Sequence, residues 1–326
     1  MFKRFLQRAL LSALLSTACI AGVAAAASYP ARPIRLIAPI AVGGLTDTLA
    51  RLVAAGLADK LGQPVVVENK PGAGGIIGME AAAKSAPDGY TLILVYQGVA
   101  AVNASLYPDL PYDTLRDFMP VAGLGSFPLV LVTNAKTGIR SVGDLIQRAK
   151  DKPNAFSYAS AGNATTSHLT MELFKNEAGI QAMHVPYKGE GPANTDVAGG
   201  QVDIAFSSLA SVAPLIKSNR LVALGIGTPQ RSPVLPAVPT IAEAGVPGFE
   251  AVGWYGLLAP AGTPAGVVKQ LSQAVADVLN QPAVREKLDG LGVTANATSS
   301  AAFGDQIRSE TDKWKKVIQQ SHITVN

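Results

Sequence analysis

The run Leu36-Ile37-Ala38-Pro39-Ile40-Ala41-Val42-Gly43-Gly44-Leu45-Thr46-Asp47-Thr48-Leu49-Ala50-Arg51 places an apolar segment, a glycine pair and a helix start in direct succession. Glycine has no Cβ, so the backbone can turn tightly here and approach a ligand. Thr46 and Asp47 are expected to cap the following helix, and a helix start leaves N–H donors pointing back at the turn. Those donors, together with the positive end of the helix dipole, form a small anion site. The plainer reading is a well-capped turn between strand and helix.

The same order recurs along the chain. Strands are expected over residues 34–39, 64–68, 90–96, 127–132, 156–159, 181–187, 202–206 and 221–226. Helices are expected over 46–61, 79–85, 142–150, 192–199, 265–279, 282–291 and 299–320, with one more opening after Ser160. The first helix carries Leu49, Leu52, Val53, Leu57 and Leu61 at three-and-four spacing. The β-branched run Val65-Val66-Val67 reads as a buried strand. Alternation of this kind is the signature of mostly parallel sheets covered by helices. Residues 106–120 read as a proline-punctuated loop, and residues 249–260 as an extended segment returning across the molecule. Ser160-Ala161-Gly162-Asn163-Ala164-Thr165-Thr166-Ser167-His168 repeats the small, polar helix entry of the opening stretch.

The N-terminus carries Lys3, Arg4 and Arg8, an apolar run, and Ala24-Ala25-Ala26-Ala27-Ser28. That is the layout of a secretory leader, expected to be cleaved near residues 26–28 and to leave the mature chain in the periplasm. Removing its three cations takes the formal net charge from +4 to about +1, so the basic balance says little about partners. The single cysteine, Cys19, lies within the leader, so the mature chain has no disulfide, thiol nucleophile or thiolate metal site. The residues preceding it lack the aliphatic position of a lipidation signal. With 48% hydrophobic and 15% charged residues and no interleaved basic and aromatic run, a nucleic-acid-binding role is excluded.

Catalytic constellations are missing. His168, His184 and His322 have no metal-ligand spacing, and no Gly-x-Ser-x-Gly elbow or phosphate-binding loop is present. Gly72-Ala73-Gly74-Gly75-Ile76-Ile77-Gly78 departs from the dinucleotide fingerprint, and the strand ending near Val95 carries no terminal acid, so these glycines read as a turn and close helix packing. No metal and no cofactor are expected.

Several motifs taken in order then point one way. They include Pro33-Ile34-Arg35-Leu36-Ile37, Gly43-Gly44-x-x-Asp47-x-x-Ala50-Arg51 and Val67-Glu68-Asn69-Lys70-Pro71-Gly72-Ala73-Gly74-Gly75. Further along stand Ala86-Pro87-Asp88-Gly89-Tyr90, His184-Val185-Pro186-Tyr187-Lys188-Gly189 and Ala259-Pro260-Ala261-Gly262-Thr263-Pro264. With these the chain resembles the extracytoplasmic solute-binding receptors of tripartite tricarboxylate transporters, the Bug receptors.

The resemblance implies an α/β, type II periplasmic-binding clamshell with two crossing strands. Residues 28–126 plus 250–326 would form one domain and 127–249 the other. It implies capture of a small organic acid (mono-, di- or tricarboxylate, possibly aromatic) by a monomer that presents it to the transporter's membrane subunits, without chemistry on the ligand. The expected ligand-binding residues are Ile40, Ala41, Val42, Gly43, Gly44, Thr46 and Asp47 of the first loop, and Ser160, Asn163, Thr165, Thr166, Ser167 and His168 of the second. Ser126, Tyr187, Asp203 and Ser207 complete the set. Asp47 is expected either to order its loop or to meet a donor on the ligand. The family's opening loop usually reads Pro-Phe-Pro-Pro-Gly-Gly, whereas this chain has Pro39-Ile40-Ala41-Val42-Gly43-Gly44, which bears on ligand choice. The alternatives are a secreted α/β enzyme using Asp47 or His168, and a ligand sensor for a membrane signalling partner.

Overall fold

A computed structural model describes residues 29–321 apart from 44 and 164, together with residue 323. The leader, Cys19, Gly44 and His322 lie outside the described residues. The described residues open with two strand–helix units and a third strand of one sheet. Strand β1 (Ile34–Ala38) leads to helix α1 (Leu45–Leu61), and β2 (Val65–Asn69) passes through a short 3₁₀ turn to α2 (Ile76–Ala83); β3 (Thr91–Tyr96) follows. These three strands pair in parallel in the order β2-β1-β3. Helix α1 buries Leu49, Val53 and Leu57 against β1, the spacing that its sequence pattern requires. Among the described residues strand β2 is the edge strand rather than a buried one, and its Val66 is 57% exposed.

Strand β4 runs 17 residues, Phe118–Asn134, and begins where the sequence reads as loop. Its first part pairs antiparallel with β9 (Val252–Pro260) as far as Pro128, and from Leu129 onward it pairs with β7 (Ile204–Ser208) instead. One strand therefore belongs to two sheets. A second link lies beside it, where Ala251 N–H donates to the Gly227 carbonyl and Gly227 N–H donates to that of Leu129.

The middle of the chain contributes α3 (Val142–Asp151), β5 (Ser157–Ser160), α4 (Thr166–Ala178), β6 (Met183–Pro186) and α5 (Glu190–Gly199). After β7 come α6 (Leu209–Lys217), which the sequence pattern did not single out, and β8 (Leu221–Ile226). Strands β6, β5 and β7 form a second parallel set, bounded by the antiparallel β4 and β8. The remainder returns to the first sheet through α7 (Ala265–Leu279), α8 (Pro282–Gly290), β10 (Thr294–Thr298) and α9 (Ser300–Ser321). Each lobe thus has a parallel core edged by antiparallel crossing strands, so the sheets are more mixed than strand–helix alternation alone suggests.

Three apolar clusters hold this arrangement. One lies between α1, α7 and the first sheet, and one between α5, α6 and the second. The largest runs from Ile37 and Ile93 through Trp254 and Phe303 to Tyr158, Phe174 and Phe206, and so joins the lobes. Helix α9 spans both, with Trp314 fully buried and Asn176 of α4 donating to Ser321 at 2.8 Å.

Candidate ligand cleft

In parallel α/β sheets, ligand loops gather beyond the carboxyl ends of the strands. The loops after β1 and β5 occupy that position in the two lobes. Pro39 at the start of the first loop is held by Gly78 of α2, where an added Cβ would stand 2.6 Å from the Pro39 Cβ. The Gly72–Gly78 glycines are thus turn and packing residues, with Gly72 at φ 121° and Gly75 at φ 90°. Beyond Pro39 the loop opens outward: Ala41 and Gly43 are exposed, Val42 is 70% exposed and Ile40 is half-buried.

Asp47 is buried in the first turn of α1 rather than preceding it, so it reaches back as the third helical residue instead of capping as sequence suggests. Its Oδ2 accepts the Gly43 N–H at 2.9 Å, and its Oδ1 accepts the Asn69 side-chain amide at 2.9 Å. Arg51 spans both oxygens, at 3.1 and 3.0 Å. Asn69 also donates to the Ile40 carbonyl at 3.3 Å. The Arg51 guanidinium, then the Gly43 amide and Asn69, hold the Asp47 carboxyl down at about 2. Its partners are donors of the loop and helix, so Asp47 is built to order the loop. Thr46 is likewise inside the helix, and its hydroxyl donates to that of Tyr255 on β9 at 3.4 Å.

The second loop is built from its own hydroxyls. Thr165 Oγ1 donates to the Gly162 carbonyl at 2.7 Å, Ser167 Oγ accepts the Ala161 N–H at 2.9 Å, and the two oxygens are 3.1 Å apart. Ser160 Oγ accepts the Gly162 N–H at 3.2 Å and lies 2.7 Å from His184 Nε2. Asn163 is exposed and Thr166 half-buried at the mouth. Below them His168 stacks on His184 with centroids 4.0 Å apart, and His184 stacks on Tyr158 at 4.7 Å. Burial, then the neighbouring His184, lowers the His168 imidazole to about 4; burial also lowers that of His184. The Tyr158 hydroxyl closes the stack on Glu172, which Lys175 pairs at 2.6 Å.

A model of the tripartite tricarboxylate transporter family receptor matches residues 49–323. The chain belongs to that receptor family.

The receptor is 40% identical to Protein BugT of Bordetella pertussis over 314 residues, 96% of each chain. Among solved structures it resembles Rpa4515 of R. palustris with adipate, at TM-score 0.79 and 36% identity, covering 91% of this chain and 99% of that one. It also resembles MatC of Rhodopseudomonas palustris with bound malate, at TM-score 0.76 and 33% identity, covering 89% and 100%. The two-lobed clamshell implied by the sequence is therefore the fold of this receptor.

Four residues expected in the ligand set have partners within the protein itself. Asp203 accepts the N–H and hydroxyl of Ser157 at 2.7 and 2.8 Å, at the start of β5 and so at the opposite end of that strand from Ser160. Ser207 donates to Asn194 at 2.5 Å, and the Tyr187 hydroxyl to Asp196 at 2.6 Å, so both point into α5. Ser126 pairs with Trp254 where β4 changes sheets and lines a separate cavity of about 590 Å³ with Glu310 and Lys313. The neighbour Ser208, at the carboxyl end of β7, meets the first residue of α5. It donates its hydroxyl to Glu190 at 2.5 Å, and its N–H to the same carboxylate at 3.1 Å.

Sequence reading missed His184, Glu190, Ser208 and Tyr255. A signal existed for the first: with β5 and β6 read as parallel neighbours, Tyr158 stands level with His184.

Proposed function

We propose that this receptor captures an organic carboxylate between the first loop, residues 39–47, and the second, residues 160–168, and presents it to membrane subunits of a tripartite transporter, with no chemistry on the ligand. The observation that carries this reading is the pairing of two helix-start loops, one per lobe, each held in shape by its own side chains. A helix start contributes about 0.3–2 kcal/mol toward an anion. Micromolar affinity needs about 8 kcal/mol, so two loops together with closure that excludes water are required. Asp47, Thr165 and Ser167 position these loops; the mouth residues Ile40, Ala41, Val42, Gly43, Asn163 and Thr166 meet the ligand.

Closure is a rotation of residues 127–249 against 28–126 plus 250–326, with β4 bending near Pro128. The similar structures that hold adipate and malate support a carboxylate. Among the described residues no helix is long and apolar enough to cross a membrane. The receptor works in the periplasm as a monomer, after its leader is cleaved near residues 26–28. A thermal-shift panel of mono-, di- and tricarboxylates tests the reading: ligand at about 100 Kd adds about 2.7 kcal/mol. A panel that leaves the melting temperature unmoved, with turnover of some substrate instead, contradicts it.

A further inference from the structure

The residue that the ligand set lacked, Glu190, bears on which acid fits. It opens α5 at the carboxyl end of β6, half-buried, directly after the Tyr187–Gly189 turn. Its carboxylate accepts the Ser208 N–H and hydroxyl. Among the described residues these are its hydrogen-bond partners, and no lysine or arginine pairs with it. A carboxylate offers about four acceptor positions, so about two stay open.

On β9 of the other lobe, Tyr255 is buried beside Thr46 of the first helix start. Its hydroxyl already accepts from Thr46, which leaves its own proton to donate. Burial raises the Tyr255 phenol to about 12, and the charge of Glu190 adds to that rise. The cleft is therefore asymmetric. Helix-start amides beside Gly43 and Thr166 suit an anion, whereas the Glu190 end presents acceptors and negative charge.

We infer that Glu190 is a specificity residue that selects a carboxylate whose far end carries a hydrogen-bond donor, a hydroxyl or an ammonium, over one ending in a second carboxylate. This inference rests on the carboxylate reading proposed above. A donor satisfies the open acceptor positions of Glu190, whereas a second carboxylate meets like charge in a space that closure dries.

Titration calorimetry at pH 7.5 tests this with length-matched acids: 4-hydroxybutyrate and 4-aminobutyrate against succinate, and 6-hydroxyhexanoate and 6-aminohexanoate against adipate. The wild-type receptor is expected to bind the better donor-ended acid of a set at least tenfold more tightly than its dicarboxylate partner. Glu190→Gln, which keeps an acceptor for Ser208, is expected to shrink that ratio to within about threefold by improving the dicarboxylate. A wild-type preference for the dicarboxylate overturns the role of Glu190 and leaves the carboxylate reading standing, as does a ratio unchanged in Glu190→Gln. If the variant fails to fold, the wild-type ratio still decides. Absence of binding by every acid, in this set and in the wider panel, overturns both.

Discussion

The carboxylate of Asp47 accepts the backbone N–H of Gly43 from four residues further along the chain, at 2.9 Å, and so closes the first ligand loop on itself. Arg51 and Asn69 brace that closure from the helix and from the neighbouring strand. Asp47→Ala removes the acceptor common to all three donors. Stability is expected to fall by about 2 kcal/mol, and ligand affinity by about tenfold, since the loop must then be ordered on binding. Asp47→Asn is expected to lie between the wild type and the alanine variant. Thermal melts with titration calorimetry on the three proteins check this.

The His168 and His184 pair makes the second lobe acid-sensitive. His168 titrates at about 4 in the folded protein against an ordinary 6.5, so the unfolded chain takes up its proton first. The stability this gives is fully present above about pH 6.5 and is lost as pH falls toward 4. The loss from His168 is at most about 3 kcal/mol. Asp47, held at about 2, loses its own contribution only below about pH 4. Melting temperatures of wild type and His168→Gln measured from pH 7.5 to 4 are expected to converge on the acid side, because the variant lacks the 6.5-to-4 decline.

Gly78 tests how rigidly the first loop is based. Alanine normally stabilises a helix interior by about 0.5–1 kcal/mol over glycine. Here its Cβ would lie 2.6 and 2.9 Å from Pro39 side-chain and backbone atoms, so the sign reverses. Gly78→Ala is expected to cost about 1–3 kcal/mol and to weaken ligand binding, read by the same melts and titrations.

Glu310 on α9 accepts from both tryptophan indoles, Trp254 at 3.3 Å and Trp314 at 2.7 Å, and from Gln97 at 2.5 Å. Trp254 stands on β9 opposite Ser126, beside the point where β4 changes sheets, so its surroundings change when the lobes close. Ligand is expected to alter tryptophan emission in the wild type and in Trp314→Phe, and to leave Trp254→Phe nearly silent. Equal responses from the two variants would place the movement elsewhere.

Local pattern was legible where local forces decide. Helix α7 and strand β8 have the bounds their periodicity implies, and both loops at Gly43 and Gly162 were visible as contiguous runs. Of strand β4 only residues 127–132 were legible; its first half lay partly in a proline-punctuated stretch and carries Gly123 and Gly125. Their Cβ atoms would fall 2.4 Å from Thr298 Oγ1 and 2.6 Å from the Thr294 carbonyl, so they are glycine to let β10 lie alongside. The exposure of β2 depends on its place at the sheet edge, which no stretch of β-branched residues can announce. Site partners that meet only through the fold were equally hidden: His184 with Ser160, Glu190 with Ser208, and Thr46 with Tyr255, the last 209 residues apart.

The claim that two helix-start loops bind a carboxylate is tested most directly by titration calorimetry of the receptor with a carboxylate panel and the methyl ester of each acid. At least one acid is predicted to bind at micromolar Kd, and its ester at least a hundredfold more weakly. Equal affinity for acid and ester, or no binding by any acid, would contradict the account.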